Sequence, residues 1–224
     1  MTLSSYENEG YIRFAISKFD DKYRKILKMC FYEEENEIFY KDFPKDYPHM
    51  DKIRANFVKN GIKMFNQLGY FTEIPWEKAL IAFCQIIRKH DIDWWLTGSC
   101  AACLRGIDFY PHDVDIMIDS KDVCKISNIF SAYLFEPIVN TNGWVTKDFG
   151  VLFLHARIDI ASDPVNSLDD PIPVDCGPAA RENLEKIDWN GYAIKIPPIA
   201  YQLNANRLRG RTERVKKIEG FLKD

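Results

Sequence analysis

The stretch DWWLTGSCAACLRGIDFYPHDVDIMID, residues 93–119, constrains this chain more than any other. DWWLT is a short apolar run that reads as a strand. SCAACLRG reads as a short helix of small residues, and DVDIMID alternates with period two, as a strand does. Side chains at i and i+2 of a strand share a face, roughly 6.5–7 Å apart. Asp113 and Asp115 therefore point one way, while Val114 and Ile116 point into a core. Two carboxylates on one face repel each other, and a cation relieves them. Oxygen ligands suit Mg²⁺, which prefers sites completed by substrate phosphates. Taken alone, Asp-x-Asp also fits a solvated strand face.

The Gly98-Ser99 step between strand and helix adds weight. Glycine lets the backbone approach a ligand closely, and a helix start attracts phosphate through its free N–H groups. A bare N-cap is the plainer reading of Ser99. Further on, LHARIDIAS alternates, so Asp159 between Ile158 and Ile160 faces away from the core. If that strand lies beside the first, three carboxylates converge. Two divalent ions held by them suit the clamping of attacking and leaving oxygens in an in-line displacement, with Asp159 placed to take a proton.

Other residues tempt. Cys100 and Cys103 have CxxC spacing, but no second Cys or His pair follows at zinc-finger spacing; their small size suits a helix packed close to a sheet. Arg105 is placed to reach a phosphate or, equally, to pair with Asp108. His155 shares strand parity with Asp159. Tyr110 and Trp144 are candidates for stacking on a base. NRLRGRTERVKK, residues 206–217, is the most basic stretch: it reads as a solvated helix face, as a segment from which Arg207 or Arg211 folds back onto a triphosphate, or as an RNA contact.

The chain has 224 residues and a formal net charge of −3. That length suits one domain, or one domain with an extension. The charge supplies no overall field for nucleic acid, which makes it a disfavoured partner. The polar, acidic N-terminus MTLSSYENEG does not read as a secretory signal, and the apolar run near 79–87 is too short to span a bilayer. The expected location is the cytoplasm. Six cysteines in a chain of this kind do not read as a disulfide framework, and four of them sit among apolar neighbours as small hydrophobes.

Three regions are expected: a helical N-terminal extension (1–75), a core (76–197) and a C-terminal helical segment (198–224). Helical spacing is read over 11–28 and 51–68, separated by a break containing Pro44 and Pro48. A helix follows Pro75. Another is capped by Asp119 or Ser120 and runs to about Ala132. Segments near 134–139, 143–149 and 151–162 read as strands, with Asn142-Gly143 as a hairpin signal. A short helix is expected over 179–186, then a strand at GYAIKIPP, then helix over 199–222 with a break near Gly210. The fold class is α+β, a mixed sheet flanked by helices.

Thr97-Gly98-Ser99, the spacer 100–112, Asp113-Val114-Asp115-Ile116 and Ile158-Asp159-Ile160 together resemble the nucleotidyltransferase superfamily of DNA polymerase beta. The compact form of TGSCAACLRGIDFYPHDVDI resembles its small bacterial members, the lincosamide and aminoglycoside nucleotidyltransferases and the minimal nucleotidyltransferases. The resemblance covers about residues 76–162. It implies the nucleotidyltransferase fold and transfer of a nucleoside monophosphate from a nucleoside triphosphate, such as ATP, to an acceptor hydroxyl with release of pyrophosphate. Gly98 and Ser99, with Arg105, would hold the triphosphate. Asp113, Asp115 and Asp159 would bind Mg²⁺, Asp159 serving the attacking hydroxyl. The expected acceptor is a small molecule such as an antibiotic. A protein or tRNA acceptor of toxin–antitoxin type, and a catalytically silent nucleotide-binding module, are the alternatives.

Overall fold

The chain opens in β-structure. In a computed structural model, which describes residues 1–223, β1 (Thr2–Asn8) and β2 (Tyr11–Ser17) pair antiparallel across a two-residue turn in which Gly10 takes φ +79°. A 3₁₀ turn leads into α1 (Arg24–Met29), followed by β3 (Glu33–Glu35), β4 (Ile38–Pro44) and α2 (Met50–Leu68). The four strands form one antiparallel sheet in the order β1-β2-β4-β3. The helix expected over 11–28 is thus corrected to a strand and a short helix, and the N-terminal extension is not helical but α+β. The same letters carry both periods: Ile12, Ala15 and Ile16 fit a helix face, while Ile12, Phe14 and Ile16 fit a strand face. Cross-strand pairing decides. The three strand-face residues are buried, and Arg13 reaches across to Asp42 of β4 at 2.6 Å. Aromatic and β-branched side chains fit such a half-buried pleat.

The rest of the chain runs α3 (Trp76–Ile87), β5 (Trp94–Thr97), α4 (Gly98–Leu104), β6 (Val114–Ile118), α5 (Val123–Ile129), β7 (Leu134–Asn140), β8 (Thr146–Leu154) and β9 (Ala156–Pro164). It ends with α6 (Pro178–Glu182), the hairpin β10 (Glu185–Trp189) and β11 (Tyr192–Ile196), α7 (Ile199–Leu208) and α8 (Thr212–Phe221). The second sheet has the order β5-β6-β9-β8-β7 and is mixed: β6 and β9 are parallel and the other pairs antiparallel.

Two helices hold the sheets in place. α2 lies between them, and Phe57 touches both, with ring centroids 4.5 Å from Phe14 of β2 and 5.4 Å from Phe135 of β7. α3 backs the mixed sheet, where Phe83 meets Trp94 at 5.1 Å. Val114, Ile116, Ile158 and Ile160 are buried in the same core, each contributing roughly 1.5–3 kcal/mol by burial. That burial fixes which way the residues between them face.

Local details depart from expectation in instructive ways. Asn142 and Gly143 do turn β7 into β8, both with positive φ. His155, however, sits exposed at the tight turn between β8 and β9 with φ +62°, not on a strand face. Asp119 makes no cap bond; it pairs with Arg181, and the Ser120 N–H donates instead to Asp163 Oδ1 at 3.1 Å. The short helix expected over 179–186 stops at Glu182, because Glu185 onward pairs with β11. Among the described residues no helix is long and apolar enough to cross a membrane.

Candidate active site

Parallel pairing sets Asp115 of β6 directly beside Asp159 of β9, with Val114 beside Ile158 and Ile116 beside Ile160. The aliphatic pairs go to the core, so the aspartates share the opposite face, and Asp113 joins them from just before β6. Each of the three offers a carboxylate oxygen, and these oxygens all lie within 4.8 Å of one another. Burial pushes Asp115 well above the usual carboxylate range, and Asp113, Asp159 and Asp175 push it further. Burial also raises Asp113, against the pull of Arg157, Arg214 and Arg211. Asp159 is pushed up to about 6, again by burial, with Arg157 pulling it down. Three crowded, half-buried carboxylates with an all-oxygen donor set fit a hard divalent cation.

Arg157 was not anticipated, although it has the same strand parity as Asp159. Its Nε donates to Asp159 Oδ1 at 2.5 Å and its Nη2 to Oδ2 at 3.1 Å, a bidentate grip that fixes the carboxylate plane. Its Nη1 donates to the Cys30 sulfur at 3.2 Å, tying the N-terminal region to the site.

Gly98 has φ +65°, and a Cβ added there would collide with Asp115 Oδ2. Glycine is thus required for the turn and for the close approach of the carboxylate. The Gly98 carbonyl accepts from Gln202 Nε2 at 2.8 Å, and the Gly98 backbone lies beside the buried Asp175 carboxylate and helps hold its pKa down. Thr97 Oγ1 donates to the Asp175 carbonyl at 2.7 Å. Burial raises Asp175, opposed by Arg209. Ser99 is buried beside Gly98 and lines the cavity. α4 itself is short, at seven residues.

Positive charge comes from the α7–α8 junction. Arg209, Arg211 and Arg214 line a cavity of about 680 Å³ together with the three aspartates. Burial lowers Arg211, and the neighbouring Arg209 and Arg214 lower it further; three guanidiniums crowded together suit an anion. Arg211 was one of two candidates here. Arg207, the other, pairs with Glu219 at 2.6 Å and does not line the cavity. Arg105 is also corrected. Its Nη2 donates to Glu185 Oε2 at 2.6 Å and to the Pro197 carbonyl at 2.8 Å, so it braces the β10–β11 hairpin and meets neither a phosphate site nor Asp108.

The six cysteines are free thiols. Cys100 is buried and donates to the Asp113 carbonyl at 3.1 Å, and burial raises its pKa well above the usual thiol value. Cys103 donates to the Phe109 carbonyl at 3.5 Å. Both pack as small residues. The opposite side of the cavity is apolar, with Met29 and Phe31 from the N-terminal region and Trp144 and Phe149 from the β7–β8 hairpin. Tyr110, a candidate base stacker, lies outside this lining and packs against Tyr70.

The sequence profile of the aminoglycoside-2''-adenylyltransferase family matches residues 79–191. No curated protein matches the chain significantly. Two solved structures are similar. One is a Thermotoga maritima protein ascribed to the nucleotidyltransferases, 19% identical, TM-score 0.48, covering 66% of this chain and 92% of its own. The other is a lincomycin-bound lincosamide antibiotic adenylyltransferase, 15% identical, TM-score 0.45, covering 64% of this chain and 96% of its own. Both are too distant to carry an inference about substrate. The profile match takes in half of the chain, from within α3 through the Gly98-Ser99 turn and all three clustered aspartates to the β10–β11 hairpin, and the chain belongs to the aminoglycoside-2''-adenylyltransferase family of nucleotidyltransferases.

Proposed function

We propose that this chain is a Mg²⁺-dependent nucleotidyltransferase that moves a nucleoside monophosphate, AMP in keeping with its family, from a nucleoside triphosphate to a hydroxyl of an antibiotic-like small molecule. The observation that carries the site assignment is the convergence of Asp113, Asp115 and Asp159 on one face of β6 and β9. On this reading residues 76–197 are a nucleotidyltransferase core, completed by the segment 198–224.

Asp113, Asp115 and Asp159 would hold Mg²⁺, two ions being expected. Bound there, the metal supplies charge neutralisation at the α-phosphate and a lowered pKa for the attacking hydroxyl. The remaining roles belong to the chain. Arg209, Arg211 and Arg214 receive the triphosphate tail, and Gly98 and Ser99 shape the floor beside it. The acceptor oxygen forms a bond to the α-phosphorus as the bond to the pyrophosphate oxygen breaks. The hydroxyl proton passes to the Asp159 carboxylate, which Arg157 holds in orientation. Pyrophosphate leaves on the arginine side.

The test is acceptor-dependent pyrophosphate release with each of the four nucleoside triphosphates and Mg²⁺, scored over a panel of hydroxylated small molecules. The expected product is an acceptor heavier by one nucleoside monophosphate. Tight triphosphate binding without modification of any acceptor or of water would count against the transfer reading and for a silent nucleotide-binding module.

A further inference from the structure

Two buried ion pairs meet the short link between α1 and β3, and different regions of the chain supply their cations. Arg157 of β9 grips Asp159, while Lys41 of β4 donates to Glu136 Oε2 of β7 at 2.7 Å. Glu136 is 2% exposed, a depth at which an acidic side chain almost never sits without a partner. Its other oxygen accepts from the Tyr32 hydroxyl at 2.9 Å. The Lys41 ammonium lies 4.8 Å from the centre of the Tyr32 ring.

The link touches both pairs. Cys30 accepts from Arg157 at 3.2 Å, and Tyr32, two residues on, holds Glu136. Register sets the two carboxylates in one row across the sheet: Glu136 pairs with Val151 of β8, and Val151 with Asp159. Two strand spacings, roughly 10 Å, separate their backbones, a span that long side chains cover. Burial works against the Arg157 charge; Asp159 is the largest group supporting it, and Glu136 adds to that support. Arg157 thus has a second carboxylate to answer. Lys41 keeps the pairs apart, and it comes from the N-terminal region, outside the span that the family profile matches. A buried carboxylate stripped of its cation is costly, and Arg157 is the cation on which Glu136 already acts.

We propose that Lys41 is a positioning residue for the transfer reaction: by occupying Glu136 it leaves Arg157 to hold Asp159 alone, and the N-terminal region thereby sets the geometry of the reacting centre. The effect on turnover rests on the nucleotidyl-transfer reading. The effect on the partner of Arg157 needs neither substrate nor metal.

The experiment follows the Arg157 Nε–H by NMR in the full chain, its resonance identified by its loss in Arg157→Lys. In the same chains pyrophosphate release is measured with ATP, Mg²⁺ and kanamycin A, an aminoglycoside with a free 2''-hydroxyl. Lys41→Met should shift the resonance and speed its exchange with water about tenfold or more. It should lower kcat about tenfold or more, as misplacement of a reacting group does, with KM for ATP within about twofold. Lys41→Arg should keep all three near wild type. Glu136→Gln breaks the same ion pair but removes the competitor, so the resonance should hold and kcat stay within about twofold. Lys41→Met combined with Glu136→Gln should return the resonance and bring kcat to within about threefold of wild type. A role in stability alone predicts instead that either single change costs turnover in proportion to the thermal stability lost. That outcome overturns the proposal, as does an unmoved resonance in Lys41→Met or no recovery in the double variant. Should Lys41→Met fail to fold, Lys41→Gln takes its place with the same outcomes. A wild-type chain that binds no ATP with Mg²⁺ and releases no pyrophosphate counts against the transfer reading, and the resonance series still decides whether Lys41 holds Arg157 to Asp159.

Discussion

The floor of the cavity and its walls are held by different means. The floor is a β-ladder: Asp115 and Asp159 are set by parallel pairing, with isoleucines on the reverse face buried against α3. The walls are chain reversals, the α1–β3 turn on one side and the α7–α8 junction on the other. The floor crowds like charges in burial, while the walls expose Phe31 and Trp144 and gather three arginines. A ladder fixes side-chain direction to within a strand's pleat, which suits groups that act on the reacting atoms. Reversals vary without disturbing a sheet, which suits groups that choose what is bound. Changes to the floor should therefore fall on turnover, and changes to the walls on binding.

The sharpest way to break that division is Asp115→Asn. Turnover should fall by roughly 10³-fold or more, since electrostatic support of the transferring phosphoryl group is lost. The metal-free chain should keep or gain thermal stability, because a buried carboxylate crowded by Asp113, Asp159 and Asp175 becomes neutral. Near wild-type turnover with Mg²⁺ would remove Asp115 from the site.

A second test needs no mutation. In the metal-free chain Asp159 is pushed from the ordinary 3.8 up to about 6 by burial. Below 3.8 the carboxyl is protonated in folded and unfolded states alike, and its contribution to stability is fully present. As pH rises through about 6 the folded state must ionise it at a cost, and that contribution is lost, on the order of 3 kcal/mol. Asp113 and Asp115 are raised as well and act in the same direction. Denaturant melts should thus show the metal-free chain weakening from pH 4 toward pH 7, and added Mg²⁺ should offset the loss chiefly at the upper end. A metal-free stability that climbs through this window would mean that the floor is not a crowded anionic site.

The walls come next. Arg209→Ala and Arg211→Ala should each raise KM for the triphosphate by about 10–100-fold, the worth of a charge-assisted contact to phosphate, with smaller changes in kcat. Arg105→Ala should leave that KM alone and lower stability by about 1 kcal/mol or more through the lost Glu185 and Pro197 contacts. The opposite outcome, with Arg105 controlling KM, would reinstate the sequence expectation.

That expectation failed for a physical reason that recurs through the molecule. Asp113, Asp115 and Asp159 were legible because strand periodicity and flanking Val and Ile decide direction locally. Gly98 was legible as a turn residue, but its other role, making room for Asp115 Oδ2, depends on a strand beginning sixteen residues later. Arg105 follows a short helix whose sequence does not say what lies beyond it; the Glu185 that captures it is eighty residues away. Asp175 lies in an irregular segment without periodicity, and Phe31 reaches the site because α2 brings the first sheet against the second. In the N-terminal region, letters that fit both periods were resolved by partners distant in sequence.

The smallest effect expected is at the cysteines, where the floor meets its packing. Cys100 lies fully buried under the residue that precedes β6, and its thiol donates to the Asp113 carbonyl at 3.1 Å. It sits close enough to the site to invite a catalytic role. Burial raises its pKa well above the usual thiol value, with Asp115 and Asp113 raising it further, so thiolate is scarce and the group is a poor nucleophile. Cys103 is raised by burial too. Ser at 100 can keep the bond to Asp113 with a slightly smaller atom; Ala loses it and leaves a small gap. The double replacement of Cys100 and Cys103 by Ser should therefore hold turnover within about tenfold, and the double Ala variant should lose roughly 1–2 kcal/mol of stability. A pH profile of turnover separates packing from chemistry: a structural role leaves its shape unchanged. Loss of an inflection in the double Ser variant, or stoichiometric zinc in the wild type that this variant lacks, would move the cysteines from the packing of the floor into its chemistry.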